Sequence, residues 1–129
     1  MNPISALRPT MSIDLKRNRI RILKKTLRFL DNTEHIILLV NPINCTIVIM
    51  RSDCSDLRAY FLRRIRTKKA YFELSSRALI KSLQRLNGHW QDNHVYCLVG
   101  ENIPEKGMIR FDITESELIE KHKQVEVLQ

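Results

Sequence analysis

Glycine is scarce in this sequence: only three glycines occur among 129 residues. Loops that cradle phosphate groups, such as the P-loop and the GxGxxG turn, need glycine where the backbone approaches the ligand. The sequence contains neither motif, and it also lacks HExxH and GxSxG. We therefore expect that the protein is not an enzyme, that it has no catalytic residues, and that it uses no cofactor or small-molecule substrate.

Long apolar runs are also missing. The longest spans residues 36–40, whereas a membrane helix needs about 18 apolar residues or more. The N-terminal residues lack the positively charged start and the apolar stretch of a secretory signal. Three cysteines without a CxxC pair, at positions 45, 54 and 97, indicate reduced thiols. We expect a cytoplasmic protein that does not bind a membrane.

Metal ligands are too few for a recognisable site. His89, His94 and Cys97 have an H-x4-H-x2-C spacing, but Asp92 is the only other candidate ligand nearby. A structural zinc site normally has four protein ligands. The sequence therefore predicts no metal site.

Positive charge is abundant and unevenly distributed. Residues 1–85 hold 18 of the 22 lysines and arginines but only six of the 14 acidic residues, whereas residues 86–129 carry an excess of acids. A strongly basic region attracts phosphate backbones. This distribution favours a nucleic-acid-binding protein whose partner is DNA or RNA.

The N-terminal residues predict a hairpin with two chemically different faces. Apolar residues alternate over residues 11–15 and again over 19–22, with Lys16, Arg17 and Asn18 between the two stretches. Asn18 can adopt the positive φ that a tight hairpin turn requires. The isoleucines then face one way, and Arg19 and Arg21 face the other.

The order of predicted elements occurs twice. Residues 11–50 and 70–113 each predict a strand, a helix and a hairpin, and residues 51–69 form a basic connector that includes part of a helix. Residues 1–10 resemble a flexible arm, and residues 115–127 predict a short final helix. We expect a single α+β domain over residues 11–129, built from two strand-helix-hairpin repeats.

Residues 11–50 resemble the swapped-hairpin DNA-binding domains of the AbrB and MraZ type. That family runs from an Asp through a tight turn to Gly-Arg-Ile-x-Ile-Pro and a short basic helix. This sequence has Asn18 in place of the glycine and Leu23 in place of the proline, and the matching residues are Asp14, Asn18, Arg19, Ile20, Ile22, Lys24, Arg28 and Leu30. The resemblance implies an interleaved swapped-hairpin β-barrel, a homodimer or larger ring, and a role in transcription regulation.

The candidate nucleic-acid-binding residues come from three sources. The resemblance implies Arg19, Lys24 and Arg28 as DNA contacts. Charge and strand side add Lys16, Arg17 and Arg21, and the second basic cluster adds Arg63, Arg64 and Arg66.

Other interpretations of the basic residues remain open. The cations could form a solvated face, or they could protect a sheet edge from unwanted pairing. The protein could also be an assembly module whose basic half meets an acidic partner or the acidic half of a second copy. Four aromatic residues near the second basic cluster could stack on bases, but aromatic residues at this spacing are more often part of a core: Tyr60, Phe61, Tyr71 and Phe72.

Overall fold

The computed structural model describes residues 8–62 and 70–119, and strands dominate this part of the chain. Two short α-helices accompany the strands: α1 (Lys24–Leu27), which continues into a 3-10 turn at Arg28–Leu30, and α2 (Arg77–Leu86). A second 3-10 turn lies at Pro104–Lys106. The strands are β1 (Thr10–Asp14), β2 (Arg19–Leu23), β3 (His35–Asn41), β4 (Thr46–Ser52), β5 (Tyr60–Phe61), β6 (Tyr71–Ser75), β7 (Val95–Ile103) and β8 (Met108–Ile119).

The eight strands form one sheet in the order β5-β3-β4-β8-β7-β1-β2-β6, and each neighbouring pair is antiparallel. The sheet curls into a half-barrel. Its two edge strands, β5 and β6, approach each other where the rings of Tyr60 and Phe72 lie 6.3 Å apart between centroids. We call this approach of β5 to β6 the seam. The hairpin β1–β2 is enclosed in the sheet, because β1 pairs with β7 and β2 pairs with β6.

The core lies on the inner side of the curled sheet. Apolar residues alternate along the strands, so one side of each strand is removed from water while the other side carries polar residues. Helix α2 begins after Ser76, whose hydroxyl accepts a hydrogen bond from the backbone N–H of Leu79 at 3.1 Å. The largest fully buried side chains include Met11, Ile13, Ile20, Ile22, Ile36, Ile47, Ile49, Ile80, Leu83, Leu98 and Phe111.

The predicted α+β class with two strand-helix-hairpin repeats is wrong. About 50% of the described residues are strand and 19% are helix, and the strands of both halves belong to one sheet. The two halves cannot form separate repeats, because the first hairpin pairs with β7 and β6 of the second half. The periodicity of the sequence revealed most of the elements but not the partner of each strand.

Two segments also differ from the predicted elements. Residues 57–62 form a turn and β5 instead of part of a helix, and residues 115–119 extend β8 instead of beginning a helix. The amide groups of both segments bond to neighbouring strands: Phe61 is opposite His35, and Glu117 is opposite Cys97.

Neither α-helix in the described ranges 8–62 and 70–119 is long and apolar enough to cross a membrane.

Candidate nucleic-acid interface

The turn between β1 and β2 presents two exposed cations, Lys16 and Arg17. Asn18 has a φ of 54°, which confirms the positive φ expected at this position. Asp14 shapes the turn, because its Oδ1 accepts the backbone N–H groups of Lys16 and Arg17, each at 3.0 Å. The side chains of residues 16 and 17 are therefore held at the outer end of the hairpin.

Asp14 is also a buried carboxylate surrounded by positive charge. Its Oδ2 lies 3.3 Å from Nη1 of Arg17 and 3.4 Å from Nε of Arg19. The second contact is electrostatic, because its geometry does not form a hydrogen bond and Arg19 Nε is buried. Burial opposes ionisation of Asp14, but hydrogen bonds from Arg17 and Lys16 outweigh it, so its pKa is lowered.

Strand β2 directs Arg19 and Arg21 away from the core, as the alternation predicts. Ile20 and Ile22, which lie between and after them, are fully buried. Both arginines contact Glu73 of β6: Nη1 of Arg19 lies 3.5 Å from Oε2, and Nε of Arg21 donates to Oε1 at 3.0 Å. Their side chains retain only 21% and 35% exposure. They are accessible, but carboxylates already occupy part of their hydrogen-bonding capacity.

More cations lie at the other end of β2. Helix α1 begins there with Lys24, whose backbone N–H donates to the carbonyl of Ala70 at 2.8 Å. Lys24 is half-buried, whereas Lys25 and Arg28 are exposed. Within the part of the chain that the structure describes, residues 16, 24, 25 and 28 make no ion pair.

These side chains lie along β2 and directly at its two ends. We call this set of cations the basic track. The basic track consists of Lys16, Arg17, Arg19, Arg21, Lys24, Lys25 and Arg28.

Helix α2 adds cations that were not among the nucleic-acid contacts predicted from the sequence. Arg77, Lys81 and Arg85 are exposed and four residues apart, so they share one face of the helix. The backbone N–H of Ser76 donates to the carbonyl of Asn18 at 3.0 Å, which places the start of α2 beside the β1–β2 turn. The regular spacing of these cations in an amphipathic helix was the signal that could have identified them.

The second basic cluster lies outside the described residues. It includes the predicted contacts Arg63, Arg64 and Arg66. Along the chain the cluster lies between Leu62 and Ala70. The backbone N–H of Leu62 donates to the carbonyl of Glu34, and the carbonyl of Ala70 accepts the backbone N–H of Lys24.

The four aromatic residues near this cluster divide into two pairs. Tyr60 and Phe72 pack against the core, in agreement with the interpretation favoured from the sequence. Phe61 follows Tyr60 and Tyr71 precedes Phe72 in the chain. Because neighbouring residues of a strand point to opposite faces, Phe61 and Tyr71 point to the outer side of the sheet. Phe61 is 56% exposed, and Tyr71 is half-buried beneath the guanidinium of Arg21.

Negative charge is concentrated on a different part of the sheet, on the outer side of β7 and β8. A shallow hollow there is lined by Arg8, Cys97 and several carboxylates. Arg110 donates to Glu101 at 2.7 Å and neutralises one of them. The charge asymmetry of the sequence is therefore also a spatial asymmetry, with the acidic surface formed by Glu101, Asp112, Glu115 and Glu117.

No group of three or more His, Cys, Asp or Glu side chains within residues 8–62 and 70–119 is arranged to hold a metal ion. Comparisons with protein-family models, with curated proteins and with solved structures gave no match to this chain.

Proposed function

We propose that the protein binds nucleic acid, with DNA as the first candidate and RNA as the second, through the basic track. The observation that carries the proposal is the charge balance of this surface. Seven cations lie along β2 and at its two ends, and two carboxylates, Asp14 and Glu73, contact them. Seven less two leaves an excess of five positive charges, and a polyanion neutralises such an excess.

The dimensions of the track suit a stretch of phosphate backbone. Five residues of β2 extend over roughly 17 Å at about 3.3 Å each. One strand of a DNA duplex places a phosphate about every 3.4 Å along the helix axis. Because the backbone winds around that axis, neighbouring phosphates lie farther apart than the axial rise, so the track spans fewer than about five of them.

The cations of the track contribute unequally. A phosphate that binds Arg19 or Arg21 must compete with Glu73, which already accepts a hydrogen bond from Arg21. Lys16, Lys25 and Arg28 are exposed and have no ion pair in the described residues, so their charges attract phosphate without this competition. We expect the ends of β2 to supply most of the salt-sensitive affinity.

The test is a fluorescence-anisotropy titration of the protein with labelled DNA and RNA at several salt concentrations. Replacement of Lys25 by Glu should weaken binding about tenfold and reduce the salt slope by about one. The matched control is Lys106→Glu, which makes the same charge change in the turn between two strands that do not pair with β2. It should have a much smaller effect.

Replacement of Glu73 tests the track with a charge change of the opposite sign. Glu73→Gln removes a negative charge from the track and releases Arg19 and Arg21, so it should strengthen binding several-fold. Equal effects of Lys25→Glu and Lys106→Glu would show that net charge alone governs binding and would refute the track as the site. No gain in Glu73→Gln would contradict the release of Arg19 and Arg21 to the nucleic acid. Glutamate at positions 19 and 21 is a poorer probe, because it would face Asp14 and Glu73 and disturb the fold.

A regulatory role, assembly into homo-oligomers and a cytoplasmic location are parts of the same proposal. The resemblance of residues 11–50 to swapped-hairpin regulators supports the first two. The three cysteines support the location, because all of them are free thiols.

The second candidate function is a protein-assembly module, and the acidic surface on β7 and β8 favours it. This surface is complementary in charge to the basic track of a second copy. Sedimentation without nucleic acid distinguishes the two functions. Salt-sensitive self-association that Glu117→Lys weakens, with no binding of DNA or RNA, would select the assembly module.

A further inference from the structure

We infer that the nucleic acid bound here is single-stranded and that its bases stack on aromatic rings at the seam. This inference rests on the proposed function, because it assigns the class of nucleic acid to the same surface. Strand β6, which carries Tyr71, lies between the seam and the basic track on β2. A chain held by the track therefore passes within reach of the seam.

The distribution of outward rings is the first support. In the described strands, the aromatic rings that face away from the core belong to His35, Phe61 and Tyr71. All three lie on β3, β5 or β6, which are the two edge strands of the seam and the neighbour of β5, whereas the rings of β7 and β8 face the core or its rim. Packing of the core does not require aromatic side chains on the outer side of the sheet at the seam.

Phe61 is the most accessible of the three. It is 56% exposed, although most phenylalanine side chains are withdrawn from water. It stacks on His35 with a centroid distance of 5.1 Å and an angle of 27° between the planes. The histidine holds the phenyl ring in one orientation, so the ring offers a base a fixed surface on which to stack.

Tyr71 forms a second stack, across the seam from Phe61. The guanidinium of Arg21 lies 4.4 Å from the centroid of its ring. Leu23, which is 37% exposed, is the cross-strand partner of Tyr71. An arginine beside an aromatic ring can stack on a base and also attract a phosphate. Arg21 is thus a member of both the basic track and the aromatic surface.

The combination of stacked rings and cations favours a single strand over a duplex. In a duplex the faces of the bases are covered by their neighbours, and a protein reaches only base edges and backbone. In a single strand the faces are free, and proteins that bind such strands combine a basic groove with aromatic side chains. A duplex would use the cations and leave Phe61 exposed to water.

The experiment compares a labelled oligothymidine, an oligouridine and a DNA duplex of equal charge, titrated against the wild-type protein and three variants. Phe61→Ala should weaken binding of the single strands about tenfold, within the range of about 5- to 100-fold for a lost stacking ring. It should leave duplex binding and the salt slope unchanged. Phe61→Trp should restore or strengthen single-strand binding. The control is Ile43→Ala, which removes an apolar side chain that is 90% exposed in the β3–β4 turn, and it should have no effect.

The outcomes separate this inference from the proposed function. If Phe61→Ala binds the single strands as tightly as the wild type while Lys25→Glu weakens binding, the stacking inference fails and the basic track stands. If the wild type prefers the duplex, the inference also fails. If neither single strands nor duplex bind, both proposals fail.

Discussion

Gly100 lies directly opposite Phe111 in the β7–β8 ladder, and the phenyl ring occupies the space that a side chain at position 100 would need. A Cβ atom on Gly100 would lie 2.6 Å from Cε2 and 2.8 Å from Cδ2 of Phe111. Phe111 is fully buried, so its ring has no free space into which it could move. Strand β7 continues through Gly100 to Ile103, next to an irregularity in the pairing between Leu98 and Gly100.

Replacement of Gly100 by Ala should therefore destabilise the protein by about 1–3 kcal/mol, the usual cost of overpacking a core. Urea denaturation followed by circular dichroism measures the change. Gly88→Ala is the control, because nothing lies within 4 Å of a Cβ at that position. The control should leave the free energy of unfolding within about 0.5 kcal/mol of the wild type. Equal midpoints for the two variants would contradict the close packing of Gly100 against Phe111.

The sequence predicted the local elements well wherever alternation was strict. The predicted strands at residues 11–15 and 19–22 agree with β1 and β2 to within two residues at each end. Their alternation follows from the pleat of a single strand, which a short sequence window contains.

What could not be predicted depends on partners that are distant in the sequence. The contact of Arg21 with Glu73 joins residues 52 positions apart, and it exists because β2 pairs with β6. No local pattern indicates that pairing. The outward side of β2 was therefore predicted, but its neutralisation by Glu73 and the exposed stack of Phe61 on His35 were visible only in the structure.

The carboxylate of Asp14 should make stability depend on acidic pH. Its pKa is lowered in the folded state, because the hydrogen bonds from Arg17 and Lys16 outweigh the opposing effect of burial. A lowered pKa contributes stability above the unfolded value of about 3.9, and that stability is lost as the pH falls through the folded value. Asp14→Asn should cost about 1–3 kcal/mol at pH 7, the range for hydrogen bonds to a charged group.

The difference between the wild type and Asp14→Asn should shrink below about pH 4, where the unfolded chain and then, at lower pH, the folded protein take up a proton at this carboxylate. Urea denaturation of both proteins at pH 7, 5, 4 and 3 measures this. The other acidic groups are common to the two proteins, so their titration cancels in the difference. A difference that stays constant from pH 7 to pH 3 would rule out an ionised Asp14 as the source of stability.

Thr26 connects helix α1 to the first strand through a buried hydroxyl group. The hydroxyl donates to the carbonyl of Thr10 at 2.9 Å and accepts the backbone N–H of Thr10 at 3.1 Å. Thr26→Val keeps the shape but leaves both backbone groups without this partner, so it should destabilise the protein by about 1–3 kcal/mol. Thr26→Ser, which keeps the hydroxyl, should cost less. If the serine variant is the less stable of the two, packing of the methyl group matters more than the hydrogen bonds.

The three cysteines should react with a thiol reagent at different rates, with Cys54 the fastest and Cys97 the slowest. Cys54 is exposed, whereas Cys97 is half-buried on β7. Burial, and to a smaller extent the negative charge of Glu117, raise the pKa of the Cys97 thiol, so less of it is the reactive thiolate at neutral pH.

Iodoacetamide labelling followed by peptide mass spectrometry gives the rate for each residue. Glu117→Gln should accelerate labelling of Cys97 and leave that of Cys54 unchanged, since Glu117 is the cross-strand partner of Cys97. Labelling of Cys97 as fast as that of Cys54 in the native protein would contradict the burial of Cys97 and the raised pKa of its thiol.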